Sequence, residues 1–238
     1  MTEKNSLEER LRPLASVMPR PVRRVLKEAV CAYRLRRAMR EFTSLAPGAR
    51  PTRSLLAELQ AGWGNEWYAA RTDYLEELAA RAAETSGPVL ECGSGLTTLL
   101  LGLLAGRRGV EVWSLEHLPA WHARVSEVLA RYGVPRVRAC LAPLRDYGSF
   151  DWYEPPLAEL PREFRLVVCD GPPGSTRGAR YGLLPVLGPR LTHDTLILLD
   201  DAEREGEREA LRRWREEANL RADVRETPTG TFALVTRR

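Results

Sequence analysis

The spacing of apolar residues changes near residue 88. Before it they recur at three- and four-residue intervals. Val22, Leu26, Val30 and Tyr33 predict an amphipathic helix over Val22–Phe42, with Arg24, Lys27 and Arg34 off that face and Arg36, Arg37 and Arg40 extending its basic character. Ala46-Pro47-Gly48 and Pro51 end it. A short helix is expected over Ser54–Ala61, broken by Gly62-Trp63-Gly64-Asn65. Another is expected over Tyr68–Ala83, with Tyr74, Leu75 and Leu78 on one face, ending at the Ser86-Gly87-Pro88 turn.

After that turn, strand and helix patterns alternate. Strands are expected at Val89–Cys92, Val110–Leu115, Val137–Leu141, Leu166–Asp170 and Thr195–Asp200. Between them lie helices at Thr97–Ala105, Ala120–Tyr132, Tyr181–Leu191 and Glu203–Ala218, and an irregular aromatic and proline-rich insertion at Phe150–Leu160. Arg221–Thr227 and Thr231–Thr236, parted by Pro228-Thr229-Gly230, read as a hairpin. The alternation implies an α/β class protein: a doubly wound sheet of seven strands, mostly parallel, with a C-terminal antiparallel hairpin, plus N-terminal helices. Residues 1–60 read as a basic helical extension and 61–238 as the α/β domain. No internal repeat is evident.

Composition narrows this picture modestly. The chain has 238 residues, 44% of them hydrophobic, enough to fill one sizeable core. No apolar run reaches the ~18 residues that a membrane span needs. The N-terminus is charged, with no signal-peptide core, so a cytoplasmic protein without a transmembrane segment is expected. Cys31, Cys92, Cys140 and Cys169 form no CxxC pair and read as reduced thiols. The net charge is +4, carried almost entirely by arginine. Twelve basic residues fall in the first fifty against five acidic ones, so the N-terminal helix is either a packed accessory element or an arm for an acidic partner.

Chemistry concentrates at the predicted strand ends. The run Val89-Leu90-Glu91-Cys92-Gly93-Ser94-Gly95-Leu96-Thr97-Thr98 is a strand entering a glycine turn. Strand carboxyl ends are where doubly wound sheets bind ligands, and Gly93 and Gly95 let the backbone approach one. A dinucleotide site would want G-x-G-x-x-G, but Thr98 stands at the third glycine position and Glu91 precedes the first. A carboxylate there disfavours a diphosphate and suits a cationic ligand. At the end of the second strand, Glu116 can accept both hydroxyls of a ribose, with His117 beside it. An ordinary solvated loop acid is the plainer alternative. Asp170, followed by Gly171-Pro172-Pro173-Gly174, and the Asp200-Asp201 pair end neighbouring strands and should converge. Converging carboxylates need a cation or hydrogen-bond donors, and hard oxygen ligands suit Mg2+.

This arrangement resembles the class I S-adenosylmethionine-dependent methyltransferases, whose core is Rossmann-like and ends in an antiparallel hairpin. The Glu91–Thr98 run resembles their first motif. The resemblance covers residues 63–238. It implies that Gly93, Gly95, Thr97 and Thr98 lie against S-adenosylmethionine. It also puts Glu91 near the aminoacyl end, Ala142 and Leu144 near the adenine, and Asp170 close by. Thr97 departs from the family by standing where many members carry a third glycine. The acid pair resembles metal-dependent small-molecule O-methyltransferases of the catechol type, implying Asp170, Asp200 and Asp201 as metal ligands and Asp170 and Asp200 as catalytic. The lysine that follows the first acid in that type is absent. No Asn/Asp-Pro-Pro-Tyr/Phe pattern of amino-group methyltransferases is present.

Trp63, Asn65, Trp152, Tyr153, Arg177, Arg180 and Tyr181 are the candidates for the substrate mouth. The expectation is O-methylation of a small molecule, with S-adenosylmethionine as cofactor and Mg2+ as an optional second one. Two alternatives stay open: a nucleic-acid-directed methyltransferase using the basic N-terminal arm, and an NAD-type oxidoreductase. A homodimer is a further expected partnership left open.

Overall fold

The computed structural model describes residues 19–46, 48–64 and 70–237. Three helices come first: α1 (Arg20–Thr43), α2 (Arg53–Trp63) and α3 (Thr72–Glu84). The α/β part follows as β1 (Val89–Cys92), α4 (Leu96–Gly106), β2 (Val112–Glu116), α5 (Pro119–Arg131) and β3 (Val137–Leu141). Then come β4 (Leu144–Asp146), β5 (Asp151–Tyr153), β6 (Phe164–Cys169), α6 (Leu183–Leu187), β7 (Leu191–Leu199), α7 (Glu205–Ala218), β8 (Leu220–Thr227) and β9 (Gly230–Arg237). Seven strands form one sheet in the order β3-β2-β1-β6-β7-β9-β8. The first five are parallel; β9 runs antiparallel to both β7 and β8.

Strand side chains alternate between the two sheet faces, so each strand feeds two cores. Val89, Val112, Leu166, Val168 and Leu198 face one core, covered by α1 to α5. Leu90, Cys92, Leu115, Val167, Cys169, Ile197 and Leu199 face the other, covered by β4–β5, α6 and α7. Every residue of α4 from Leu96 to Ala105 is buried. A helix apolar on all sides needs cover on all sides; here the sheet lies beneath it and α3 beside it.

Several expectations change. The packed face of α1 is Leu35, Ala38, Met39 and Phe42, while Val22 and Tyr33 are about half exposed or more. The expected stripe was drawn one turn too early: Leu26 and Val30 are only half-buried, and the fully buried positions begin at Leu35, where α1 packs on α2. A boundary at residue 60 falls inside α2, whose Leu55, Leu56 and Leu59 share one core with α3 and α4. Residues 68 and 69, the expected start of the third helix, lie outside the described residues. The helix expected over Tyr181–Leu191 is only Leu183–Leu187 with a 3-10 turn at Gly188–Arg190, and Leu191 already belongs to β7. Pro185 and Pro189 in this short segment leave no room for a longer ladder of amide donors. The irregular insertion contains a strand, β5, paired with β4 in a small antiparallel hairpin. No described helix is long and apolar enough to cross a membrane.

Candidate functional site

Sheet register assembles the site. Cys92 is paired with Leu115 on one side and Cys169 on the other, and Cys169 with Leu199. The next residues, Gly93, Glu116, Asp170 and Asp200, therefore leave the sheet side by side. Three backbone hydrogen bonds tie these ends: Gly93 N–H to Leu115 O (3.0 Å), Asp170 N–H to Cys92 O (3.0 Å) and Asp200 N–H to Cys169 O (3.1 Å). Gly93 holds φ +94°, and a Cβ there would meet the Gly171 nitrogen at 2.9 Å. The glycine turn is thus pressed against the Asp170–Gly171 corner. Gly95 is the opposite case: a Cβ built on it meets nothing within 4 Å. Gly95 is itself buried, yet the space where its side chain would stand, at the N-terminus of α4, is unfilled, so that a bound molecule could lie against bare backbone.

Glu91 sits behind this turn, wholly buried. Its Oε2 accepts from Ser114 Oγ (2.5 Å) and Thr98 Oγ1 (2.6 Å), and Thr98 Oγ1 in turn accepts from the Gly95 N–H (2.8 Å). Thr97 and Thr98 are buried as well. These residues brace the turn from within rather than lining its outer surface. Burial pushes the Glu91 carboxyl up to about 7, against the lowering effect of hydrogen bonds from Ser114, Thr97 and Thr98. Because the folded state holds this proton more tightly than the unfolded one, the contribution of Glu91 to stability is fully present below about pH 4.5 and is lost as pH rises through about 7. At ~1.4 kcal/mol per pH unit, the contribution is on the order of 3 kcal/mol. Denaturant unfolding of Glu91→Gln and wild type at pH 5 and pH 8 should show the variant gaining about that much relative to wild type at the higher pH. Parallel pH dependences would remove Glu91 from this role.

Glu116 is also buried but faces the turn. Its Oε2 accepts from Ser94 N (3.2 Å) and Ser94 Oγ (2.7 Å), and its Oε1 from Leu118 N (2.8 Å), with His117 Nδ1 at 3.1 Å. Desolvation works against its charge, but the close His117 ring and the hydrogen bonds from Leu118 and Ser94 outweigh it and hold the carboxyl below its usual value. It is therefore an ionised acceptor beside Gly93–Gly95. Trp121 Nε1 donates to Ser94 O (2.7 Å) and pins the turn from α5. Ala142 lies across the strand end, its N–H on Glu116 O (2.7 Å) and its methyl buried; Leu144 is half-buried at the start of β4.

Asp170, Asp200 and Asp201 do converge, with one oxygen of each within 4.8 Å of the others. The sequence reading missed what lies among them. Arg180, 1% exposed, sends Nη2 to Asp201 Oδ2 (3.0 Å), Asp170 O (3.0 Å) and Asp170 Oδ1 (3.4 Å), and Nη1 to the carbonyl of Asp200. Its Nε lies 3.5 Å from Glu207 Oε1. Arg204 Nη1 reaches Asp201 Oδ2 at 2.7 Å. Four carboxylates thus face two guanidiniums. The surplus negative charge shows in the acids: burial, with Asp201 adding to it, raises both Asp170 and Asp200, so they hold protons more readily than free aspartates. A Mg2+ ion needs free oxygens and room for its waters. Here Asp170 Oδ1 and Asp201 Oδ2 already face guanidinium, and the buried Arg180 charge lies beside the acids where a second cation would have to enter, so the residues present do not suit the metal.

The proposed substrate contacts are redistributed. Arg180 faces this buried cluster, not solvent. Arg177 ties the loop to the β4–β5 hairpin through Asp146 and Asp151 (both 2.6 Å). The Tyr181 hydroxyl donates to Glu217 (2.6 Å) under the stacked guanidinium of Arg213. Trp63 is 4% exposed and packs edge-on against Trp121. Trp152 and Tyr153, expected to be exposed, are completely buried. In each case an apolar ring found core contacts that no local spacing announced. Asn65 lies outside the described residues. The Tyr153 hydroxyl, buried beside His117 and the Gly171 backbone, has no hydrogen-bond partner among the described residues.

Searches with the sequence give no matching family model and no matching curated protein. Solved structures do match. An S-adenosylhomocysteine-bound methyltransferase from Podospora anserina covers 93% of this chain and 98% of its own at 15% identity, with a TM-score of 0.57. An O-methyltransferase from Bacillus cereus, in complex with S-adenosylhomocysteine, covers 79% and 92% at 15% identity (TM-score 0.55). A putative caffeoyl-CoA O-methyltransferase from Staphylococcus aureus covers 79% and 93% at 10% identity (TM-score 0.58). With its seven-stranded sheet and C-terminal hairpin, the chain has the Rossmann-like fold of the class I S-adenosylmethionine-dependent methyltransferases.

Proposed function

We propose that this protein is an S-adenosylmethionine-dependent methyltransferase acting on a hydroxyl of a small molecule. One observation carries the reading: the Gly93–Gly95 turn, unfilled on the side-chain side of Gly95, stands level with the ionised carboxylate of Glu116 at adjacent strand ends. A ribose diol meets that carboxylate as an acceptor in either class of nucleoside cofactor; Thr98 at the third glycine position, Glu91 before the first glycine and the C-terminal hairpin are what speak against a dinucleotide. S-adenosylmethionine, when bound, would supply an electrophilic methyl on a sulfonium whose thioether is the leaving group.

The chain's own residues then have defined tasks. Glu116 holds the ribose, exchanging the Ser94 hydroxyl for those of the sugar. The backbone of Gly93–Gly95 lies against the aminoacyl part, and Ala142 with Leu144 flanks the base. Asp170 is the most exposed acid of its cluster, with a fifth of its side chain accessible, and it adjoins Gly93. Its raised proton affinity suits it to accept the proton of an acceptor hydroxyl near neutral pH. The rest is positioning, which can supply much of the rate of an in-line displacement. The oxygen acceptor is supported by the paired strand-end acids and by the missing amino-group motif.

Calorimetric titration tests the reading. S-adenosylhomocysteine should bind with one-to-one stoichiometry and NAD should give no heat. Binding of NAD in preference to the adenosyl thioether would overturn it.

A further inference from the structure

We infer that Arg180 occupies the position a divalent cation would need among Asp170, Asp200 and Asp201, so that this protein works with a built-in guanidinium where a metal ion would otherwise sit. The inference rests on the methyltransferase reading only for its catalytic consequence; the geometry stands alone.

Three observations carry it. The first is the acid convergence itself: oxygens from three aspartates within 4.8 Å form a set able to hold an ion. The second is occupancy. Arg180 bonds the side chains of Asp170 and Asp201 and the main-chain carbonyls of Asp170 and Asp200, clamping the ends of β6 and β7 together. A metal ion binding the same oxygens would have to expel a side chain that is 1% exposed. Arg204 takes a further share of Asp201 at 2.7 Å. The planar fork of arginine can satisfy several acceptors at fixed angles, which a spherical ion does by coordination instead.

The third observation is that the flanking chain holds Arg180 in place. Ala179 packs so tightly on α7 that a Cβ at Gly206 would meet the Ala179 Cβ at 2.7 Å. Tyr181, on the other side, bonds Glu217 through its hydroxyl, accepts from Trp214 Nε1 at 3.0 Å through its carbonyl, and lies under Arg213. Arg180 is thus delivered into the cluster by a segment fixed on both sides. The hydroxyl of the acceptor would gain no acidity from a Lewis acid, which directs the enzyme to acceptors of intrinsic acidity, phenols before alcohols.

The test is Mn2+ binding followed by electron paramagnetic resonance, Mn2+ serving as the probe for an oxygen-ligand site. Metal-stripped wild type should take up no stoichiometric Mn2+ at micromolar concentration, and its affinity for S-adenosylhomocysteine should be equal in EDTA and in Mg2+. Arg180→Met, which keeps the volume and removes the charge, should gain one Mn2+ site, and the double variant with Asp201→Ala should lose it. Stoichiometric Mn2+ binding by wild type that disappears in Asp201→Ala would overturn the inference. So would a folded Arg180→Met protein that binds none. Should that variant not fold, the wild-type titration decides alone. Failure of wild type to bind S-adenosylhomocysteine would strike the methyltransferase reading and leave the metal result untouched.

Discussion

Replacing Glu116 with alanine is expected to weaken S-adenosylhomocysteine binding by roughly a hundredfold or more. The carboxylate is ionised and buried, and a ribose diol would give it two hydrogen bonds to a charged acceptor, each worth about 1.5–3 kcal/mol. At ~1.4 kcal/mol per tenfold, two such bonds exceed a factor of a hundred. The same side chain accepts from Ser94 N and Oγ, so its loss also frees the glycine turn and adds to the effect. Glu116→Gln separates the two contributions. It keeps one carbonyl oxygen for Ser94 but loses the charge and one acceptor, and should fall between, at roughly tenfold. Calorimetry on folded variants measures both. Equal affinity in wild type and Glu116→Ala would place the nucleoside elsewhere.

Much of this was legible in the sequence, for a physical reason. The strand order depends on long-range pairing, but each strand announces itself by a short apolar run, and each turn by glycine, proline or an acid. Glu91, Gly93, Glu116, Asp170 and Asp200 were found because they stand at the ends of such runs, and register alone then makes them neighbours. What escaped were contacts between segments far apart in sequence. Nothing near Ser114 signals that it donates to Glu91, and nothing near Trp121 signals that it pins Ser94. Arg180, ten residues beyond Asp170, read as a candidate for the substrate mouth because its burial depends on α7, whose Glu207 lies against it. The aromatic residues Trp152 and Tyr153 were misplaced for the same reason: the hairpin that buries them is short and lies between proline-rich stretches with no clear alternation. One cue was available for Arg180. Three acids are expected at these strand ends, and a buried cluster of that charge demands cations from the same chain.

That demand sets the second large expectation. Arg180→Met should destabilise the protein by about 3–5 kcal/mol, the usual cost of leaving one side of a buried ion pair uncompensated. For a chain of this length, at roughly 2–4 °C per kcal/mol, the thermal midpoint should fall on the order of 10 °C. Arg180→Lys should recover little, because one ammonium cannot reach Asp201, Asp170, the Asp200 carbonyl and Glu207 together. The deficit should depend on pH with a definite sign. Asp170 and Asp200 are already raised by burial, and without Arg180, which lowers both, they rise further. The variant therefore binds more protons in its folded state than wild type does and regains stability relative to wild type as the pH falls. Differential scanning fluorimetry at pH 5.5 and 8 reads this directly: the gap between variant and wild type should narrow at the lower pH and close partly with added Mn2+ at the higher one. A gap that is constant across pH would mean that Arg180 stabilises through packing alone, and the charge-based account of the cluster would fail with it.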